Sequence, residues 1–406
     1  MSQPSVSSRL DEIRALESDH VLQTYRRNPV ALVRGEGVYL YDTEGTKYLD
    51  FLSGIGVSSL GHGHPGLAAA LADQAGCLAH TSNLFFHPLQ GQVAERLTRL
   101  SGLERAFFTN SGTEAVEACL KFARRYWFTK GVTNRTSYVA LDHSFGGRTM
   151  GSLSVTWDDH YRAPFKPLND VRFVPPNDAA ALTAAVDESI AAIIVEPVQG
   201  EGGVRPLTRA FADAIAQVCA RTGALLICDE VQSGLGRTGV PFQFQALGLS
   251  PDLVSIGKAL GAGFPVGGAL IASRVAETIA YGDHGTTYGG NLLACRAALV
   301  YLEALEGGLL EHVRKVGAHF EAGLKALAAR HGVIIDVRGA GLMWGLELSV
   351  DAAPVVPAAL TRGLIVNRTS ERVVRMLPPL VITEAEIDRG LGLLDQVFTD
   401  VFGGAK

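Results

Sequence analysis

Lys258 is the only ionisable side chain between Asp252 and Arg274. An apolar run, LVSI, leads into Gly257 and Lys258, and the glycine-rich stretch ALGAGFPVGG follows. That pattern puts the ammonium at a strand end, facing a cleft, with no carboxylate in its own segment. Desolvation there lowers a lysine pKa and favours the neutral amine, the form that attacks a carbonyl to make a Schiff base. A lysine taken at random is usually a solvated surface group, and the uncharged, glycine-rich setting is what sets this one apart.

Other polar groups also stand just after apolar runs, where parallel α/β sheets collect their ligands. ERAFFT is followed by Asn110, Ser111, Gly112, Thr113 and Glu114 and then by the helical pattern AVEACLKFARRYW. The free N–H groups of that helix start, with the hydroxyls of Ser111 and Thr113, suit a phosphate; the plainer alternative is an ordinary N-cap at Thr113. The absence of GKS or GKT speaks against a nucleotide P-loop. SYVALDH leads to Phe145, two glycines and Arg148. Phe145 is either a ring that lies flat on another ring or core packing, and Arg148 either a carboxylate fork or a solvated charge.

AAIIVE closes on Glu196, with Gly200 and Glu201 after it, and ALLICDE closes on Asp229 and Glu230, followed by Val231 and Gln232. A carboxylate at the end of a buried strand is costly unless paired, in a structural ion pair or with a protonated pyridine nitrogen. HGTTYGGN, residues 284–291, adds Thr286 and Thr287 ahead of a helix, an anion site or a turn.

The elements that must position these groups alternate between residues 68 and 273. Periodicity predicts helices near 65–79, 88–101 and 113–128, and strands near 104–109, 137–141, 171–174, 191–196, 224–229 and 252–256. Uninterrupted apolar strands indicate a mainly parallel sheet covered on both faces, an α/β fold. Residues 31–51 read as three short antiparallel strands. A long helical region, 291–330 with a break at EGGL, leads into IIDVRGAGLMWGLELS, RVVRMLPPLVI and a last helix from Thr383, a smaller α+β domain. The expected division is an N-terminal segment, 1–60, belonging to the small domain, a large α/β domain, 61–308, and a C-terminal small domain, 309–406.

The chain has 406 residues, 47% hydrophobic and 19% charged, with a net charge of −5. That composition describes a globular enzyme and leaves no basic footprint for nucleic acid or an anionic membrane. Cys77, Cys119, Cys219, Cys228 and Cys295 are scattered, odd in number and without a CxxC pair, so neither a disulfide framework nor a zinc site is indicated. No apolar secretory core or membrane-spanning run stands out, and the reading is cytoplasmic. GHGHPG, residues 61–66, spells GxGxxG but lacks the preceding hydrophobic strand and the acidic residue about 20 positions on that a dinucleotide fingerprint needs. Without a carboxylate cluster nearby, His62 and His64 read as loop residues rather than metal ligands.

Order and spacing together are specific. SGTEA at 111–115, a phenylalanine at 145, DEVQ at 229–232, SIGK at 255–258 and TTYGGN at 286–291 resemble the class III aminotransferases, pyridoxal phosphate enzymes of fold type I. The resemblance covers nearly the whole chain. Within the family it is strongest to acetylornithine aminotransferases, through the run from TYRRNP to GHGHP, TSNLFF, NSGTEAVEA, EPVQGEGGV and LICDEVQSGLGRTG. It implies pyridoxal 5′-phosphate as cofactor, with Lys258 as its Schiff-base lysine, Asp229 on the pyridine nitrogen, and Val231 and Phe145 against the two ring faces. It implies Gln232 at the phenolic oxygen, Ser111, Gly112 and Thr113 around the phosphate, and Thr287 as a phosphate ligand given by the second subunit of a homodimer. Arg148 and Arg375 resemble the two carboxylate grips, Glu201 resembles the acid that neutralises Arg375, and Tyr25, Asn83 and Thr286 match positions near the substrate.

The implied reaction carries the terminal amino group of N-acetylornithine to 2-oxoglutarate, leaving glutamate. Ornithine, succinylornithine, lysine-type and 4-aminobutyrate aminotransferases, an aminomutase and a non-catalytic ligand-binding protein of the same fold are the alternatives. Ornithine enzymes usually carry an aromatic residue where this chain has Ile55, which favours an acylated donor, although Tyr25 is shared with them. Leu292 stands where a proline often follows GGN.

Overall fold

The computed structural model describes residues 9–403, so the first eight residues of the N-terminal segment and the last three of the chain lie outside the described residues. At its centre is a seven-stranded sheet made of β1 (Arg105–Thr109), β2 (Ser137–Leu141), β3 (Val171–Val174), β4 (Ile190–Val195), β5 (Leu225–Asp229), β6 (Leu253–Ile256) and β7 (Gly267–Ile271). Their order is β1-β7-β6-β5-β4-β2-β3. The neighbours from β3 to β6 pair in parallel, and β7 is antiparallel to both β6 and β1. Strands β2, β4, β5 and β6 are buried at every residue. Helices cover both faces, so these strands carry near-continuous apolar runs instead of alternating.

The helix Gly112–Thr129 packs on one face through Ala115, Val116, Cys119, Phe122 and Ala123, spaced three or four apart. The helix Arg209–Thr222, capped by Thr208 and closed by left-handed Gly223, covers the other with Phe211, Ile215 and Val218.

The glycine-rich stretch after Lys258 holds β7, a strand that no apolar run announces. Its glycines are there for a steric reason: a Cβ on Gly267 would strike the Ser111 carbonyl and one on Gly268 the Phe107 carbonyl. Bare backbone lets the start of the helix Gly112–Thr129 approach the sheet.

Two smaller sheets flank this core. Leu32–Glu36, Tyr39–Asp42 and Lys47–Asp50 form a meander that Leu364–Ile365 joins in parallel, so the N-terminal strands pair with the C-terminal part of the chain. Ile334–Ala340, Met343–Leu348, Val373–Met376 and Asn367–Ser370 form an antiparallel sheet. After the meander, Ser53, Gly54, Ile55 and Gly56 all take positive φ, from 47° to 78°, a left-handed turn with Ile55 exposed on it. Asp50 anchors it by accepting from the N–H groups of Leu52 and Ser53 at 2.8 Å each, and the Ser53 hydroxyl donates to the Leu377 carbonyl at 2.6 Å. His62 bonds Asp50 at 2.8 Å and His64 caps the helix Pro65–Cys77, so each has a local structural partner. No helix among the described residues is long and apolar enough to cross a membrane.

Candidate active site

Strands β5 and β6 run side by side with Asp229 opposite Ser255, and three residues later the chain reaches Lys258. Asp229 Oδ1 accepts from the Val231 N–H at 3.1 Å and the Ser255 hydroxyl at 2.9 Å, which leaves Oδ2 without a protein partner. Burial pushes the Asp229 carboxyl up to about 6, against the opposing pull of those two bonds and of Lys258. At pH 7 it is mostly ionised.

Among the described residues Lys258 has no hydrogen-bond or ion-pair partner. It has φ 40°, a left-handed backbone conformation costing a side-chain-bearing residue about 1 to 3 kcal/mol. Desolvation lowers its pKa, with Glu201 and Asp229 opposing. The amine opens into a cavity of about 230 Å3 whose walls include Gly112, Phe145, Arg148, Asp229, Val231 and Gln232.

One end of that cavity is the start of the helix Gly112–Thr129. Ser111, not Thr113, is its N-cap, its Oγ accepting from the Glu114 N–H at 3.3 Å. Gly112 and Thr113, the first two helical positions, have N–H groups with no intrahelical acceptor. The helix comes close because Gly112 lacks a side chain: a Cβ there would lie 2.5 Å from Val231 Cγ1. The Thr113 hydroxyl, on a residue that lines the cavity, is engaged within the chain. It accepts from the N–H of Arg148 at 3.1 Å and shares a hydrogen bond with the Ser152 hydroxyl at 2.6 Å.

Glu196 ties two loops together. Its Oε1 accepts from the Phe145 N–H at 2.9 Å and its Oε2 from the Gly200 N–H at 3.1 Å. Burial, with Asp229 nearby, pushes it up to about 8. Those loops carry Phe145 and Arg148 on one side and Glu201 on the other.

Glu201 meets Arg375 across 174 residues of sequence at 2.6 Å. The Arg375 guanidinium is fully buried; it also bonds Gln232 Oε1 and Asn367 Oδ1, both at 3.2 Å, while its Nη2 has no partner. Burial raises the Glu201 carboxyl, but Arg375 outweighs it and holds the group below its ordinary value. Arg148 is exposed and has no acid; its guanidinium lies 3.5 Å from the centroid of the Tyr161 ring and 5.4 Å from that of Phe145. Phe145, Arg148 and Glu201 also line an outer cleft of about 520 Å3, together with His143, Trp157 and Tyr161.

The fold thus brings Lys258, Asp229, Ser111, Gly112, Thr113, Phe145, Val231, Gln232, Arg148, Glu201 and Arg375 to one place. None of Tyr25, Asn83, Thr286 and Thr287 lines the Lys258 cavity, although the Thr286 hydroxyl accepts from Asn110 Nδ2 at 3.3 Å, one residue before the Ser111 cap. Asn83 Nδ2 donates to the carbonyls of Thr286 at 3.2 Å and Gly289 at 3.0 Å, and both residues line a separate cleft with fully exposed Phe86. Thr287 is exposed, and Tyr25 is 76% exposed.

Sequence reasoning missed the Ser255 bond to Asp229 and the ring beneath Arg148. Ser255 sits two residues before Gly257 in an apolar strand, a polar break that signals a partner. Tyr161 lies in WDDHYR, where no periodicity points to a site.

A family model described as aminotransferase class III matches residues 22–398. The acetylornithine aminotransferase of Methanocaldococcus jannaschii is 43% identical over 388 residues, covering 95% of this chain and 98% of that protein. Among solved structures, the acetylornithine aminotransferase of Elizabethkingia anophelis superposes with a TM-score of 0.86 at 31% identity, covering 97% of this chain and 100% of that one. The ornithine aminotransferase of Toxoplasma gondii, described with partial occupancy of PLP at its active site, gives 0.92 at 31% identity over 97% of this chain and 94% of that one.

Proposed function

The chain belongs to the class III aminotransferases, and from that premise we propose that it moves the terminal amino group of N-acetylornithine to 2-oxoglutarate with pyridoxal 5′-phosphate as cofactor. What carries the choice of substrate is the contrast between two arginines beside Lys258, Arg148 without an acid and Arg375 closed by Glu201. A donor whose amine lies far from its carboxylate needs one open grip; glutamate, with carboxylates at both ends, needs two. The family resemblance points the same way, since ornithine enzymes usually carry an aromatic residue where this chain has Ile55.

The residues fit the cofactor on their own geometry. The close approach at Gly112 leaves a helix start open to a phosphate, and the partnerless Oδ2 of buried Asp229 suits a protonated ring nitrogen. Lys258 would hold the aldehyde carbon. The N–H groups of Gly112 and Thr113, with Ser111, would hold the phosphate; Phe145 and Val231 would bear on the ring and Gln232 on its phenolic oxygen. When bound, the cofactor supplies an electron sink for the bond broken at the substrate carbon.

The chain's own groups do the rest. Asp229 keeps a proton on the ring nitrogen, because an ionised carboxylate buried beside it favours the charged form. Lys258 Nζ, whose neutral form desolvation favours, would take the proton from the amine-bearing carbon and return it on the other side of the transfer. Arg148 binds the far carboxylate in both half-reactions. Arg375 is neutralised by Glu201 while the acylated donor is bound, and binds the α-carboxylate of glutamate once Glu201 moves aside.

In the same reading the enzyme is a homodimer acting in the cytoplasm in arginine biosynthesis, with N-terminal and C-terminal segments sharing one small domain. The partner subunit's Thr287 would complete the phosphate site, and Tyr25, Asn83 and Thr286 would stand near the substrate in the assembled enzyme. That none of the four lines the Lys258 cavity, and that Asn83 and Thr286 share a cleft with exposed Phe86, supports this.

A donor panel with 2-oxoglutarate, scored by glutamate formed, tests the assignment. N-acetylornithine is expected to give the highest kcat/KM among N-acetylornithine, N-succinylornithine, ornithine, lysine and 4-aminobutyrate; a higher value for any of the others replaces it.

A further inference from the structure

Arg148 is recruited as a carboxylate grip, yet among the described residues no acid or carbonyl fixes its guanidinium. Its backbone is fixed, through the N–H bond to Thr113 Oγ1. An arginine side chain left free loses up to about 2 kcal/mol of rotamer entropy on binding, which weakens recognition. What holds this head group is Tyr161, its ring centroid 3.5 Å from Cζ.

We propose that Tyr161 is a positioning and specificity residue, a platform that orders Arg148 for the substrate carboxylate without occupying its donors. The proposal rests on Arg148 being that grip. A guanidinium lying on a ring is attracted through its flat face, and its N–H groups point outward in its own plane. An acidic partner would order the head group equally well but fill those donors, as Glu201 does at Arg375. Only an aromatic face combines order with availability.

The surroundings agree. Tyr161 sits in the short helix Asp159–Arg162, which is fixed at its start by Asp158: its Oδ1 accepts from the His160 N–H at 2.9 Å and its carbonyl from the Tyr161 N–H at 3.1 Å. The ring lines the outer cleft but not the Lys258 cavity, whereas Arg148 lines both. The platform therefore stands on the side from which the acylated end of a donor enters. Among the described residues no hydrogen bond engages the Tyr161 hydroxyl, so the ring face and not the phenol carries the role.

Steady-state kinetics of the holoenzyme test this. Tyr161→Leu should raise KM for N-acetylornithine roughly three- to fivefold with kcat within about twofold, the range of an exposed cation–π contact. Tyr161→Phe should stay within about twofold of the parent. N-acetylputrescine, the same donor without the carboxylate, should show no change in kcat/KM on Tyr161→Leu, a result that general loosening of the cleft would not produce. In an Arg148→Leu background, Tyr161→Leu should add nothing. An equal loss for the two donors, or an additive loss in that background, overturns the platform while leaving Arg148 as the grip. If Arg148→Leu itself leaves KM for N-acetylornithine unchanged, the carboxylate reading falls and the platform with it.

Discussion

Arg148 lines both cavities and Arg375 stands behind Glu201, which lines both as well, yet the protein holds the two arginines by opposite means. Arg375 is fully buried and closed by an acid, with two amide oxygens adding bonds and Nη2 left without one; Arg148 is exposed and rests on a ring. Depth explains the difference. A buried guanidinium without a counter-charge is severely destabilising, so the inner arginine needs Glu201. An outer one is hydrated and can do without. The difference in placement thus becomes a difference in behaviour: the outer grip is always available and the inner one must be released.

The sharpest way to break this contrast is to remove the inner arginine. Arg375→Ala should lower kcat/KM for glutamate roughly ten- to a hundredfold, the range of a charge-assisted bidentate pair, and affect N-acetylornithine much less. Single-turnover reaction with each donor reads the halves separately, and equal losses would make Arg375 a general structural charge. Next in size is Arg148→Ala, expected to cost roughly tenfold in both halves; a loss confined to one half would merge the two roles.

Glu201→Ala should shift preference several-fold toward α-amino donors, because the inner grip is then permanently open. An unchanged glutamate to N-acetylornithine ratio would leave the acid as a support for buried Arg375. The smallest expected effect is with pH. Glu201 is held below its ordinary value of 4.5, so its share of the pairing is fully present above that pH and fades only as pH falls through the lower folded value. The ratio of the two half-reactions should therefore stay constant from pH 6 to 9 with respect to this pair. A drift that disappears in Glu201→Gln would show Glu201 titrating in that window.

Much of the site was legible because parallel sheets gather their chemistry at strand ends, and strand ends show in sequence as apolar runs that stop. Asp229, Lys258 and the Ser111–Thr113 turn are all of that kind. Their roles came from the order of motifs resembling a family rather than from any one of them. The Glu201 contact with Arg375 joins residues 174 apart, beyond the reach of local periodicity, and it entered through the resemblance alone. The antiparallel β7 was hidden because its glycines read as a turn, though they serve a close approach. The left-handed turn at Ile55 was hidden as well, since two of its four residues are not glycine and only the anchoring by Asp50 and Leu377 makes it affordable. Tyr161 gave no signal: a tyrosine in WDDHYR shows its use only when a guanidinium is found lying on it.

The crowding around Gly112 also marks where this protein resists engineering for heat resistance. Replacing glycine by alanine commonly adds about 0.4 to 1 kcal/mol by stiffening the unfolded chain, provided the native backbone tolerates the methyl group. At Gly112, Gly267 and Gly200 a methyl group would run into Val231, the Ser111 carbonyl or the Gln232 amide, and at Gly257 it would press to 3.2 Å from the Gly112 backbone. Gly76 and Gly91, in helices with open space around them, carry no such conflict. A search for thermostable variants should find its gains on those outer helices and leave a core of unimprovable positions around Lys258, so the catalytic centre sets the lower limit on the chain's flexibility.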